Sequence, residues 1–405
     1  MNKPVYILCQ LFYPELISSG QTVTELAERL AQSGLPITVF CSQPTINSSE
    51  KVSSNMMYKT INIRRLWSTQ FSKLHFLGKL LNHLTFGLSC FIKLLCLPKH
   101  SKILVFTNPP FLPYLLGILY RFKSFNYIVT VFDLYPETLL AAGMIKKDAS
   151  ISTYLSRLNI HTYKHASHVI AIGKCMKKIL DSKMSSINKK ATYIPIWADT
   201  SLIQNSQTKQ NFRKDWGLGH TFIVGYAGNM ATFHPIETIM ESAKKLNNVS
   251  PISFLFVGEG AKKAWAINYA GQHQLTNCYF KPYVCREDLP SLLETFDCGL
   301  TGLNAENTGF SVPSKTIGLL SAGIPTIACC SPKSEIADII TSYECGVVCD
   351  PNNSNDLAKT LSTIHKKPGI LKRYKKNALL AVQKKYNIDK SAAKYLRLFH
   401  EKNES

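Results

Sequence analysis

The residues of this chain best suited to chemistry gather where predicted strands end. The stretch from Thr308 to Ile327 reads Thr-Gly-Phe-Ser-Val-Pro-Ser-Lys-Thr-Ile-Gly-Leu-Leu-Ser-Ala-Gly-Ile-Pro-Thr-Ile. A loop opened by Gly309 runs through Ser311 to Pro313. Ser314 is placed to cap a helix beginning at Lys315, and Gly323 ahead of Pro325 stops it. Such a loop presents free backbone N–H groups and the positive end of a helix dipole, which suits a phosphate. Lys315 in the first turn opposes that dipole, so a negative group is expected beside it. Two glycine turns follow strands in the same half of the chain, Ala227-Gly228-Asn229-Met230 and Gly258-Glu259-Gly260. Glycine there lets a ligand approach the backbone closely, or simply makes the turn tight. In the first half, Asp133-Leu-Tyr-Pro136-Glu137 closes an apolar run, where ligands of open α/β sheets bind. Asp before Pro136 is equally an ordinary turn former, and Ser314 to Gly323 an ordinary capped helix.

The elements that must position these residues follow one grammar. Val5 to Cys9 predicts a strand. Phe12 to Gly20 forms a long turn, and Thr22 with Glu25 has the spacing of a capping box. Val23, Leu26, Ala27 and Leu30 keep helical period until Gly34, and Ile37 to Phe40 gives the next strand. This βαβ unit predicts a parallel sheet. Further strands are expected at Ile103 to Phe106, Tyr127 to Phe132, Val169 to Ile172 and Ala191 to Ile196. Polar Thr200 to Gly219 reads as a linker. Beyond it strands are predicted at Phe222 to Tyr226, Ile252 to Val257, Cys278 to Phe280, from Cys298, at Pro325 to Cys330 and at Gly346 to Cys349. The fold class is therefore α/β, with two parallel-sheet Rossmann-like domains.

Composition narrows the function. The chain has 405 residues with 45% apolar and 10% aromatic content, enough for two or three globular domains. Lys plus Arg number 47 against 26 Asp plus Glu, a net charge of +21. Such a surface seeks nucleic acid, acidic lipid headgroups or phosphorylated substrates. Aromatics do not interleave with the basic runs as single-strand binders require, and no recognition-helix motif stands out, so nucleic acid is not expected. The 12 Cys are scattered without a Cys-x-x-Cys pair, which fits reduced thiols, and the early first strand leaves no room for a signal peptide, so a cytoplasmic location is expected. No Gly-x-Gly-x-x-Gly fingerprint, Walker A loop or Asp-x-Asp pair occurs. His161, His165 and His168 share a predicted helix but lack an acid partner, so no metal or cofactor is expected. Leu80 to Leu97 is the most membrane-like segment, interrupted by Asn82, His83 and Lys93 and flanked by further Lys and Phe residues from Phe71. It reads either as an interfacial amphipathic helix or as a long core helix.

In order and spacing the chain resembles the family 4 glycosyltransferases, retaining enzymes of the two-domain GT-B fold. Within them it is similar to bacterial transferases that assemble O-antigen, colanic acid and related surface polysaccharides. The matching pieces span nearly the whole chain. They are Phe12-Tyr-Pro-Glu15 with Ser19-Gly20, Asn108-Pro-Pro110, Asp133-Leu-Tyr-Pro-Glu137, Tyr193-Ile-Pro-Ile-Trp-Ala-Asp199, Tyr226-Ala-Gly-Asn229, Phe256-Val-Gly-Glu-Gly260 and Val312-Pro-Ser-Lys315 with Ser321-Ala-Gly-Ile-Pro325. The resemblance implies a first domain over 1–199 that holds the acceptor, with residues 386–405 packing back on it. It implies a linker over 200–219 and a second domain over 220–385 that holds a nucleotide-diphosphate sugar, the two facing a cleft. Gly20, Gly228, Asn229, Gly258, Ser311, Ser314 and Lys315 would then meet the donor phosphates. Tyr283 would lie near the base, and Glu306 and Gly309 near the sugar. Ser19, Asp133 and Glu137 would serve the acceptor. The chain departs from the family pattern in three places. Phe310 and Gly318 stand where a glutamate pair is common, Phe132 where a histidine often precedes the Asp, and His234 in a region that usually carries Arg and Lys.

Glycosyl transfer needs the leaving diphosphate stabilised as its bond to the sugar breaks, which a helix N-terminus, loop amides and Lys315 would do without a metal. Retention follows if the acceptor hydroxyl attacks on the leaving-group face. Asp133 would then position it or move its proton, supported by Glu137. The basic balance suits a lipid-linked acceptor at the inner face of the cell membrane. A nucleotide-sugar 2-epimerase of the same fold and a non-catalytic anion-binding protein are the competing readings.

Overall fold

The structure, a computed structural model, describes residues 4–15, 19–44, 52–71, 76–146, 148–198 and 210–401. The chain divides into two compact units, one running to Pro195 and joined by the stretch from Ile388, the other spanning Ile196 to Asn387. Of the last expected motif of the first half, Asp199 lies outside the described residues, as does 200–209 of the expected linker. Residues 210–219 are built into the second unit. Asn211 caps the short helix Phe212–Asp215 with its side chain, and Phe212 and Leu218 are buried.

Among its described residues the first unit carries eight strands: β1 (Val5–Leu8), β2 (Ile37–Cys41), β3 (Asn55–Tyr58), β4 (Ile61–Arg65), β5 (Lys102–Phe106), β6 (Asn126–Val131), β7 (His168–Ala171) and β8 (Thr192–Tyr193). Their order is β3-β4-β2-β1-β5-β6-β7-β8, parallel except for the β3–β4 hairpin. The apolar runs of β1, β5 and β6 are buried on both faces, as parallel strands between helical layers must be. β3 and β4 went unpredicted because neither is an apolar run. β3 is a partly exposed edge strand, and β4 buries only every second side chain, Ile61, Ile63 and Arg65. The helix expected from the Thr22–Glu25 box starts earlier, at Ser19, and buries Val23, Leu26, Ala27 and Leu30 as the period predicts. The C-terminal helix Ile388–His400 belongs to this unit. Its Tyr395 hydroxyl lies 3.0 Å from Thr130 Oγ1 of β6, and the Phe399 carbonyl accepts from Lys102 Nζ at 2.7 Å.

The second unit carries β9 (Phe222–Ala227), β10 (Ile252–Val257), β11 (Cys278–Lys281), β12 (Cys298–Gly302), β13 (Thr326–Cys329) and β14 (Gly346–Cys349), all parallel in the order β11-β10-β9-β12-β13-β14. Period-2 alternation separates its two cores. Val224, Tyr226, Phe254 and Phe256 join one, and Ile223, Leu255 and Val257 the other, with Leu292 and Leu319. The strand order reverses direction between β9 and β12, the switch point where open sheets of this kind bind ligands.

Candidate active site

The carboxyl end of β9 meets Lys315, with the turn after β10 pressed against the turn after β9 and β12 bonded to the next residue of the lysine's helix. The helix Ser314–Ser321 is pinned to the sheet by buried Thr316, whose Oγ1 lies 3.0 Å from Thr301 Oγ1 on β12. Ile317, Leu319 and Leu320 are buried beneath it. Ser314 does not cap this helix. It is the first helical residue and exposed, and Pro313 occupies the cap position with no side-chain bond. The leading amides are therefore without the side-chain partner that the sequence predicts.

Lys315 turns toward β9 and lies over Gly228. A Cβ on Gly228 would stand 3.7 Å from Lys315 Cε, an ordinary contact, so it is the backbone φ of +124° and not the lysine that favours glycine there. The ammonium donates to Tyr226 Oη at 2.5 Å and to the Asn229 carbonyl at 3.1 Å, with His234 Nδ1 3.5 Å away. Tyr226 Oη and His234 Nδ1 are themselves 2.8 Å apart. No carboxylate pairs with Lys315 among the described residues, so the negative neighbour expected from the dipole argument is replaced by neutral acceptors. Burial pushes the ammonium down to about 7. Burial, then the nearby Lys315 charge, push His234 down to about 3, which keeps the imidazole neutral.

The glycine turns are forced by packing. Gly258 has φ +142° and a Cβ there would meet the Gly228 carbonyl oxygen at 2.2 Å. Gly260 has φ +144°, its Cβ position 2.5 Å from Asn229 Oδ1. The two turns are thus pressed together, tied by the Met230 N–H bond to the Glu259 carbonyl at 2.8 Å. Tyr283 stands half-exposed near Glu259, its hydroxyl pushed up mainly by burial. Gly309 has φ +85°. Glu306 is exposed in the short 3-10 turn Ala305–Asn307, and Ser311 is partly exposed before the helix. The structure thus gathers Gly228, Asn229, Gly258 and Lys315 tightly and leaves Glu306, Ser311 and Ser314 near solvent.

In the first unit the matching edge is built by β1, β5 and β6. Asn108 Nδ2 donates to Ser19 Oγ at 2.6 Å, and Thr107 Oγ1 accepts from the Phe132 N–H at 2.9 Å and the Asp133 N–H at 3.3 Å. Gly20 begins its helix so close to the preceding turn that a Cβ would sit 2.5 Å from the Glu15 carbonyl oxygen. Ser19, Asn108 and Asp133 therefore share one sheet edge. Burial alone raises the Asp133 carboxyl to about 6. No hydrogen bond or ion pair to that carboxylate is found among the described residues, Glu137 included. Glu137 is instead ion-paired with Lys183. His161 and His165 stack edge-on in the helix Ser150–His165 while His168 lies in β7, so the three do not share a helix face.

Reading the sequence missed Tyr226 as a site residue and gave His234 no role. Tyr226 lies 89 residues before Lys315 and looks like any aromatic in a buried strand. Only the register of β9 against the helix Ser314–Ser321 brings its hydroxyl to the ammonium.

These features define the class: two parallel-sheet α/β units with a phosphate-suited helix start at the switch point of the second, which is the GT-B glycosyltransferase fold. Residues 208–380 match the family model of the glycosyl transferases group 1. The probable glycosyltransferase WbjE of Pseudomonas aeruginosa is 27% identical over 265 residues, a match spanning 64% of this chain and 64% of that relative's length. The putative colanic acid biosynthesis glycosyl transferase WcaI of Escherichia coli K12 is 22% identical over 354 residues, 84% of this chain and 86% of the relative. Among solved structures, sucrose-phosphate synthase of Thermosynechococcus elongatus superposes with a TM-score of 0.76 at 16% identity, covering 98% of both chains. HepE of Anabaena, solved with UDP and glucose, superposes with a TM-score of 0.71 at 13% identity, covering 98% of this chain and all of its own.

Proposed function

We propose that the chain transfers a sugar from a nucleotide-diphosphate sugar to a saccharide acceptor carried on a lipid, with retention, in the assembly of a bacterial surface polysaccharide. The observation that carries this reading is the Lys315 ammonium, held by neutral acceptors at the start of a helix and over a bare glycine turn. A desolvated cation without a carboxylate partner, beside uncapped helix amides, is a site for an anion with two or more charged oxygens. The colanic acid assignment of WcaI and the UDP bound by HepE support the donor class and the pathway class.

In this mechanism Lys315 and the amides of the Gly309–Lys315 loop take up the charge that develops on the departing diphosphate. Gly228 and Gly258 let the phosphates come close to the backbone, and Asn229 adds its amide. Tyr283 stacks or bonds near the base, while Glu306 and Gly309 meet the sugar. Ser314 and Ser311 offer hydroxyls to the phosphates. In the first unit Asp133, kept close to neutrality by burial, orients the acceptor hydroxyl or moves its proton, and Ser19 and Glu137 shape its surroundings. None of these roles calls for a metal ion. The protein works in the cytoplasm at the inner face of the cell membrane.

Incubating the purified protein with cell membranes and a panel of radiolabelled sugar nucleotides tests this. Label should move from one nucleotide into the lipid-extractable fraction. Free isomerised sugar released without any acceptor would overturn the reading in favour of epimerisation.

A further inference from the structure

The helix Phe76–Leu95 in the first unit carries apolar side chains on two sides, and only one of them is covered. Phe86, Cys90 and Leu94 are buried, and Gly87 lets the helix press on Phe111, where a Cβ would stand 2.5 Å from the ring. On the opposite side Leu77, Leu81, Leu84, Leu88, Ile92 and Leu95 recur at helical spacing, each between 43 and 70% exposed. A surface helix normally turns one apolar side to the core and polar residues to water, so a second apolar stripe calls for an occupant.

Two large aromatics are fastened beside this stripe. The Trp67 carbonyl accepts from Ser89 Oγ at 2.7 Å. Asn82 clamps Phe71, accepting from its N–H at 2.9 Å and donating to its carbonyl at 2.8 Å. Both rings are more than half exposed. The strap is made of hydrogen bonds from the helix's own polar residues, so the aromatics are held at the surface by design of the segment. The adjoining helix Leu112–Lys123 shows Ile118 and Phe122 to solvent as well.

Charge points to the occupant. Between Glu50 and Asp133 the sequence holds no Asp or Glu, against eight Lys and three Arg. Lys79, Lys99 and Arg121 are exposed. Among the described residues no helix is long and apolar enough to cross a membrane. Exposed leucines, interfacial aromatics and a surrounding of one positive sign match a bilayer with anionic headgroups, lying along the surface.

We propose that the outer face of helix 76–95, with Trp67 and Phe71, docks the protein in-plane on anionic membrane. The purpose of the contact rests on the lipid-carried acceptor proposed above, but the contact itself does not, because it is tested with neither donor nor acceptor present. The full chain is floated with phosphatidylcholine vesicles and with vesicles carrying about 30% phosphatidylglycerol. Binding is expected to the anionic vesicles alone, and to weaken as salt rises. Leu84→Ser with Leu88→Ser should weaken it roughly tenfold or more while circular dichroism stays unchanged, since both side chains are outside the core. Lys79→Glu with Lys99→Glu should remove the preference for anionic lipid. The proposal is overturned if the serine variant binds vesicles as the parent does, or if both vesicle types bind equally. It is also overturned if sedimentation finds a dimer that the serine variant breaks and no vesicle binding, which would assign the face to a second copy.

Discussion

Asp133 in the first unit and Lys315 in the second both stand at the carboxyl edge of a parallel sheet, and burial works against charge on each. Their surroundings differ. Asp133 has only a backbone amide tied down beside it, its carboxylate meeting no donor among the described residues, and its carboxyl rises to about 6. Lys315 is caged by Tyr226, the Asn229 carbonyl and neutral His234, so its position is fixed while its charge is held marginal at about 7. A loosely held acid near neutrality is suited to passing a proton. A rigidly held cation is suited to receiving negative charge that appears during reaction, because its geometry needs no reorganisation.

The largest effect should come from the caged cation. Lys315→Ala should lower transfer turnover by about 10²–10³ with the acceptor KM nearly unchanged, measured by steady-state kinetics. The pH dependence sharpens the point. A diphosphate beside the ammonium raises its pKa, so binding takes up a proton once the pH exceeds about 7. Affinity for a nucleoside diphosphate should therefore fall as pH climbs from 7 toward 9, by up to about tenfold per unit, and titration calorimetry in buffers of different ionisation heat should register the proton. Tyr226→Phe, which removes one arm of the cage, should cost roughly tenfold in turnover and move that pH profile, since a hydrogen bond to a charged group contributes about 1.5–3 kcal/mol.

Asp133→Asn breaks the comparison from the other side. Turnover should drop by about 10². Stability should move the opposite way. The folded carboxyl titrates near 6 and the unfolded one near its usual acidic value, so Asp133 costs stability increasingly as pH rises between the two and steadily above. The asparagine variant should unfold at higher denaturant at pH 7, by about 1–2 kcal/mol, with the gain vanishing below the unfolded pKa. Equal stability of the two at pH 7 would show that Asp133 is not desolvated.

The smallest effect concerns Gly318, where the family resemblance leads one to look for a glutamate. It lies inside the helix Ser314–Ser321, and a Cβ there meets nothing within 4 Å. Gly318→Ala should raise thermal stability by about 0.5–1 kcal/mol without lowering turnover, whereas a loss of activity would mean that the bare position is used by a ligand.

Much of this arrangement was legible in the sequence, for physical reasons that also mark where it stopped. Apolar runs such as Ile103–Phe106 and Ile252–Val257 announce buried parallel strands, and the turns after them had to carry Gly228, Gly258 and Asp133. Strands that bury one face weakly, β3 and β4, gave no such signal. Ser314 has the right chemistry for a cap, but Pro313 with extended backbone takes that place. The cage around Lys315 could not be read at all, because strand-to-helix register decides which hydroxyl meets the ammonium. The exposure of Leu84 and Leu88 stayed open between an interfacial and a core helix, since periodicity does not report which side the rest of the chain covers.

Hydrogen–deuterium exchange of the full chain with and without UDP or GDP tests the central claim most directly. The account predicts added protection at Gly228–Met230, Gly258–Gly260 and Gly309–Thr316, lost in Lys315→Ala. Nucleotide binding that protects none of these segments, or that is unchanged in the variant, would contradict it.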